Sequence, residues 1–154
     1  MWSDDCQSAF DKLKAILINY PVLHSPDWTK PFLLATDASD VGVGAVLLQL
    51  DDQGIEHPIS YFSKKLSLPQ RKYSTVEKET LALILALQHF EVYVSGGNGP
   101  LEVRTDHNPL TFLNKFKSKN ARLTRWSILL QEWDLLIKHV SGKDNVLPDT
   151  LSRL

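Results

Sequence analysis

A chain of 154 residues and 17.4 kDa is the size of one domain with room for a substantial core. Its 43% hydrophobic and 23% charged content excludes a disordered polyelectrolyte. With 17 Lys and Arg against 18 Asp and Glu the net charge is −1, so any grip on a polyanion must come from local basic patches, and the lone Cys6 excludes an internal disulfide or a cysteine-based zinc cluster.

Ser3 followed by Asp4 and Asp5 is a helix-start signal. Cys6, Ala9, Phe10, Leu13, Ile16 and Leu17 then recur at helical spacing until Pro21. These opening residues lack the basic and apolar segments of a secretory leader. Pro26 and Pro31 bracket an irregular connector. Residues 32–37 form an extended apolar run, Ser39-Asp40 a turn, and residues 42–50 a second strand rich in Val, Leu and Gly. After the turn at 51–54, residues 57–63 complete an antiparallel meander. Gly42 and Gly44 alternate along the second strand, where close packing and close approach of a ligand are both adequate explanations.

Ser74-Thr75-Val76-Glu77 fits a capping box, predicting a long buried helix through Val94. Its apolar run at 81–87 is the longest in the chain and much too short to span a bilayer. Gly96 to Pro100 end this helix. Residues 101–105 form a strand returning to the sheet, and a strand-helix-strand connection favours parallel pairing. Asn108-Pro109 opens a short helix to Phe116. A further helix covers 121–131, with Leu123, Trp126 and Leu130 at near-helical spacing. Residues 135–140 alternate as a last strand, and Pro148 belongs in the first turn of a terminal helix. The order describes an α/β domain with one mixed five-stranded sheet, an antiparallel meander plus parallel strands, and helices packed on both faces.

Carboxylates stand at the ends of these elements. Asp37 closes the first strand, Glu77 and Glu79 open the buried helix, Asp106 follows the fourth strand, and Asp149 lies in the terminal helix. Each alone is explained by a surface turn, a cap or a helix dipole. Glu77 and Glu79 lie about 200° apart on a helix, so only one faces the sheet, and periodicity does not decide which. Together, several converging carboxylates that are not mutually neutralised point to a divalent cation.

Six strings carry a resemblance. They are Phe32-Leu33-Leu34-Ala35-Thr36-Asp37-Ala38-Ser39, Gly42-Val43-Gly44-Ala45-Val46-Leu47, Ile59-Ser60-Tyr61-Phe62-Ser63, Tyr73-Ser74-Thr75-Val76-Glu77-Lys78-Glu79, Thr105-Asp106-His107-Asn108-Pro109-Leu110 and the stretch from Gly142 to Arg153. In this order the chain resembles the ribonuclease H domain of gypsy-type long-terminal-repeat retroelement polyproteins. Residues 2–23 resemble the stretch linking a reverse transcriptase to that domain. The expected division is therefore 1–29, an N-terminal helix and connector, and 30–154, the ribonuclease H domain.

The resemblance implies an endonuclease that cuts the RNA strand of RNA–DNA hybrids during reverse transcription, using two magnesium ions, with manganese as an alternative. It selects Asp37, Glu79, Asp106 and Asp149 as catalytic carboxylates and metal ligands, with Asp37 bridging both ions. It prefers Glu79 to Glu77 and Asp149 to Asp144, although Pro148 and Thr150 stand where the family usually has Ala. His139, ten residues before Asp149, occupies the separation of a mobile catalytic histidine in related enzymes, with an exposed strand-end histidine as the equal alternative. His107 fits the family's Thr-Asp-His string and reads as structural.

Lys115, Lys117, Lys119, Arg122 and Arg125 lie in a stretch without acidic residues and suit a phosphate track. Lys64, Lys65, Arg71 and Lys72 form a smaller basic group. Ser39, Gly42, Ser74, Thr75 and Asn108 flank the acidic centre as candidate substrate contacts, with capping and packing as competing roles. The implied partners are an RNA–DNA hybrid, a covalently linked reverse transcriptase upstream and an integrase downstream, and no membrane. The implied location is a cytoplasmic retroelement particle or the nucleus. The rival reading is a non-catalytic or domesticated module of the same fold, which four retained carboxylates speak against.

Overall fold

The computed structural model describes residues 2–18, 22–106 and 120–153. The expected helix at 108–116, with Asn108, Lys115, Lys117, Lys119 and His107, lies outside them. Among the described residues five strands form one sheet: β1 (Leu33–Ala38), β2 (Gly42–Leu50), β3 (Glu56–Lys65), β4 (Leu101–Thr105) and β5 (Leu135–His139), in the spatial order β3-β2-β1-β4-β5. β1, β2 and β3 pair antiparallel, as a meander joined by short turns must. β4 pairs parallel with both β1 and β5.

Burial explains why the central strands read as unbroken apolar runs. Leu33 to Asp37 and Gly42 to Gln49 are buried throughout, so both faces are covered. Period two divides their side chains between two layers. Leu34, Ala45 and Leu47 join Leu83, Leu87, Phe90 and Val103 in one cluster, whereas Leu33, Ala35, Val46 and Leu48 join Leu151 in another. Fully burying each Leu or Phe contributes roughly 1.5–3 kcal/mol. β5 is an edge strand, half exposed, and charged pairs guard it: Lys138 and Arg104 both bond Glu102, at 2.6 and 2.8 Å.

The first layer is α3 (Thr75–His89) with α5 (Ala121–Leu130), and the second is α6 (Val146–Ser152). Ser74 caps α3, its Oγ accepting from the Glu77 N–H at 3.3 Å while Glu77 Oε2 accepts from the Ser74 N–H at 2.8 Å. The single helix expected to reach Val94 instead breaks at Phe90 (φ −96°, ψ 14°), and a separate helix, α4 (Glu91–Gly96), follows. The turn leaves Phe90 fully buried and returns Tyr93 and Val94 to the same core. A one-turn helix, α2 (Leu68–Arg71), was not legible because four residues carry no period.

α1 (Asp4–Leu17) is capped by Ser3, and none of its residues is buried. The connector that follows is fastened to the sheet. The His24 N–H donates to the Pro58 carbonyl at 2.9 Å, the His24 and His57 rings lie 3.9 Å apart, and Gln49 exchanges two 2.8 Å bonds with the Asp27 backbone.

Two glycines of β2 decide how the second layer seats. A Cβ on Gly42 would lie 2.7 Å from the Ser152 carbonyl oxygen, and one on Gly44 only 2.6 Å from the Ser152 nitrogen and 2.7 Å from Leu151 Cβ. Their neighbour is the chain's own terminal helix, so close packing accounts for both. Gly44→Ala is expected to lower stability by about 1–3 kcal/mol, the usual cost of overpacking. Urea unfolding measures this, and an unchanged midpoint would mean that α6 does not sit on β2.

Candidate metal centre

Three elements bring one carboxylate each to one place. β1 delivers Asp37 near its C-terminal end, where it pairs across the ladder with Gly44. The parallel partner β4 ends at Thr105, so the next residue, Asp106, emerges at the same edge of the sheet. α3 begins over that edge and presents Glu79 in its second turn. Asp37, Glu79 and Asp106 each offer an oxygen, and the three atoms lie within 4.8 Å of one another. Asp37 and Glu79 are buried and Asp106 is exposed, so the group opens to solvent on one side.

Glu77 faces elsewhere, as the 200° offset requires. Its Oε1 accepts from Arg122 Nη1 at 2.8 Å and Asn120 Nδ2 at 3.0 Å, and its Oε2 closes the capping box. Burial works to raise its pKa, but bonds from Asn120, Ser74 and Arg122 outweigh burial and hold it below the usual range. Glu77 is thus a neutralised strut between α3 and α5. Lys78 is a second strut, buried and paired with Asp40 of the β1–β2 turn at 2.7 Å.

Glu79 has the opposite environment. Burial, with the charges of Asp37 and Asp106 added, pushes its pKa up to about 8. Its Oε2 is buried with no hydrogen-bond partner among the described residues. Burial also raises Asp37, with Asp106 and Asp149 adding to the rise and a bond from Ser152 opposing it. An orphaned buried carboxylate oxygen beside two more carboxylates is costly in a protein that supplies no cation there. The all-oxygen donor set fits a hard divalent cation and suits thiolate-seeking metals poorly. The cluster is therefore able to coordinate a divalent metal.

The other expected residues are placed as follows. Asp149 stands outside the group of three: its Oδ1 accepts from Arg153 Nε at 2.8 Å and Nη2 at 2.6 Å, and those bonds lower its pKa. Its charge nevertheless acts on Asp37. His139 ends β5, exposed, and its Nε2–H donates to the Asp106 carbonyl at 3.0 Å. Ser39 is occupied structurally, donating to the Ser152 carbonyl at 2.5 Å and accepting from the Gly42 N–H at 3.0 Å. Ser74 caps α3, while Thr75 and Arg125 are exposed. Arg122 stacks over the Tyr73 ring at 3.9 Å in addition to its pair with Glu77. Sequence reasoning missed Ser152, Lys78 and Asn145. Asn145 donates to the Thr36 carbonyl at 3.0 Å and pins the loop before α6. A polar residue in a terminal string gives no periodic sign of burial.

The mixed sheet, its strand order and its flanking helices are those of the ribonuclease H-like α/β fold, here with a clustered acidic triad. A family model described as "RNase H-like domain found in reverse transcriptase" matches residues 27–133. The chain belongs to that family. It is 44% identical over 146 residues to the retrovirus-related Pol polyprotein from transposon opus of Drosophila melanogaster, covering 95% of this chain and 14% of the polyprotein. It is 39% identical over 155 residues to the transposon Tf2-3 polyprotein of Schizosaccharomyces pombe, covering 99% and 12%. The chain thus spans about an eighth of the length of these curated relatives. Among solved structures, prototype foamy virus protease–reverse transcriptase matches with a TM-score of 0.74 at 16% identity, covering 92% of this chain and 19% of that one. LC11-RNase H1 in complex with an RNA/DNA hybrid matches at 0.59 and 19% identity, covering 78% and 92%. These structural likenesses speak to the fold alone.

The burial of Glu79 carries a pH signature. A carboxyl whose pKa rises from 4.5 to about 8 on folding binds its proton more tightly in the folded state. Without divalent ions, the stability this provides is complete below about pH 4.5 and is lost as pH rises through about 8. Glu79→Gln should remove that slope and leave the variant more stable than the parent at pH 8, by on the order of 3 kcal/mol. Urea unfolding in a chelator at pH 5 and pH 8 measures it. Parallel pH profiles for parent and variant would contradict the placement of Glu79.

Proposed function

We propose that this domain hydrolyses the RNA strand of RNA–DNA hybrids endonucleolytically during reverse transcription, with two divalent cations, magnesium or alternatively manganese. The observation that carries the reading is the convergence of Asp37, Glu79 and Asp106, with one Glu79 oxygen left uncompensated. Membership of the reverse-transcriptase RNase H-like family and similarity to Pol polyproteins support the substrate class.

Asp37, Glu79 and Asp106 would hold the metal, with Asp149 as the further carboxylate that would join them. When bound, a pair of divalent cations activates the attacking water and stabilises the charge on the leaving oxygen. The chain's own contribution is position. The ladder fixes Asp37 and Asp106 at adjacent strand ends, the capping box fixes the rotation of α3 that presents Glu79, and burial of two carboxylates limits competing water. Asp149, partly exposed and paired with Arg153, would be able to turn from that pair to a bound metal. His139, beside the Asp106 backbone, is placed to exchange a proton near the open side of the cluster.

Arg125, Thr75 and the outer face of Arg122 are offered as phosphate contacts, continued by Lys115, Lys117, Lys119 and Asn108. Ser39 and Gly42 serve the site through α6. The parent protein is proposed to be a polyprotein with a reverse transcriptase before α1 and an integrase after α6, working in a cytoplasmic particle or in the nucleus. The helix and connector of residues 1–29 form the link to the polymerase.

Cleavage of a labelled RNA–DNA hybrid tests the reading. Magnesium-dependent cutting is expected, with Asp37→Asn slower by about 100-fold or more, since even an outer-shell partner of a metal site is commonly worth 10–100-fold. Equal activity in parent and variant would identify a contaminant and overturn the assignment.

A further inference from the structure

α6 is held against the sheet by more than apolar contact. Its last carbonyls, which a helix end leaves without internal partners, are met by hydroxyls of the sheet. Ser63 Oγ donates to the Leu151 carbonyl at 2.6 Å, and Ser39 Oγ donates to that of Ser152 at 2.5 Å. Asn145 holds the preceding loop to the Thr36 carbonyl at 3.0 Å. Gly42 and Gly44 remove the side chains that would otherwise stand between strand and helix. Gly44 is also the cross-strand partner of Asp37. The trough therefore lies beside Asp37, one of the three converging carboxylates.

What the trough admits is Ser152. Its residue is fully buried, and its Oγ donates to Asp37 Oδ2 at 2.8 Å. The same hydroxyl lies 2.8 Å from the Asp149 carbonyl, three residues back in its own helix. A hydroxyl has one proton, and an ionised carboxylate is the stronger acceptor. The bond to Asp37 joins residues 115 apart in the chain, so it exists only when α6 is seated.

We infer that Ser152 is a positioning residue of the metal centre: seated by the glycine trough, its hydroxyl fixes the rotation of the Asp37 carboxylate toward Glu79 and Asp106. The inference rests on the reading of the cluster as a metal site. It assigns α6 a purpose separate from supplying Asp149. The terminal helix sets the ligand geometry of a strand that lies more than a hundred residues earlier. An outer-shell bond to a ligating carboxylate orients the ligand and is commonly worth 10–100-fold in metal affinity.

Manganese binding to the full chain, followed by electron paramagnetic resonance without substrate, provides the test. Ser152→Ala should weaken binding about tenfold or more. Ser63→Ala removes a helix-end bond of α6 but keeps the Ser152 hydroxyl, so it should lower the melting temperature while changing affinity by less than about twofold. Ser152→Cys, which keeps a side chain of similar shape with a weaker donor, should fall in the direction of Ser152→Ala and serves if the alanine variant does not fold. Parent-like affinity in Ser152→Ala or Ser152→Cys, or equal losses in the Ser152 and Ser63 variants, would overturn the positioning role while leaving the metal site intact. A parent chain that takes up no manganese would overturn the site reading and this inference together.

Discussion

The structure is organised around a repulsion that the described protein groups leave largely unrelieved. Asp37, Glu79 and Asp106 share a space less than 5 Å across, two of them are buried, and one Glu79 oxygen has no partner among the described residues. Elsewhere the same fold neutralises its acids: Glu77 has Arg122 and Asn120, and Glu102 has Arg104 and Lys138. The contrast separates carboxylates that hold the fold from those that burden it. A burden of this kind is kept where a ligand relieves it.

Bringing the three together depends on topology before chemistry. Parallel pairing of β1 with β4 sets two strand ends side by side, although Asp37 and Asp106 are far apart in sequence. The capping box at Ser74 and Glu77 fixes where α3 starts and hence which of its faces Glu79 occupies. On the other face of the sheet, Gly42 and Gly44 let α6 approach until Ser152 reaches Asp37. Each layer of helix thus contributes one constraint to the same carboxylate group.

Much of this was legible in the sequence because it rests on period and on punctuation. The meander, the parallel return of β4 and the terminal helix followed from apolar runs separated by Gly, Pro and Asp. The carboxylates were visible at element ends. The choice of Glu79 over Glu77 came from resemblance, since a 200° offset identifies two faces without saying which one meets the sheet. Other features depend on tertiary contact and leave no local trace. The turn at Phe90 serves the burial of a ring, and the roles of Ser39 and Ser152 emerge only when the β1–β2 turn meets α6. The two β2 glycines were ambiguous for the same reason, because the backbone they accommodate arrives a hundred residues later.

Asp37, Glu79 and Asp106 must act together on a shared divalent ion. Anomalous diffraction from a crystal equilibrated with manganese addresses it directly. A manganese peak is expected within ligand distance of all three carboxylates, with the orphaned Glu79 oxygen among its donors. Peaks confined to other acidic surfaces, at a manganese concentration that supports hybrid cleavage, would contradict it.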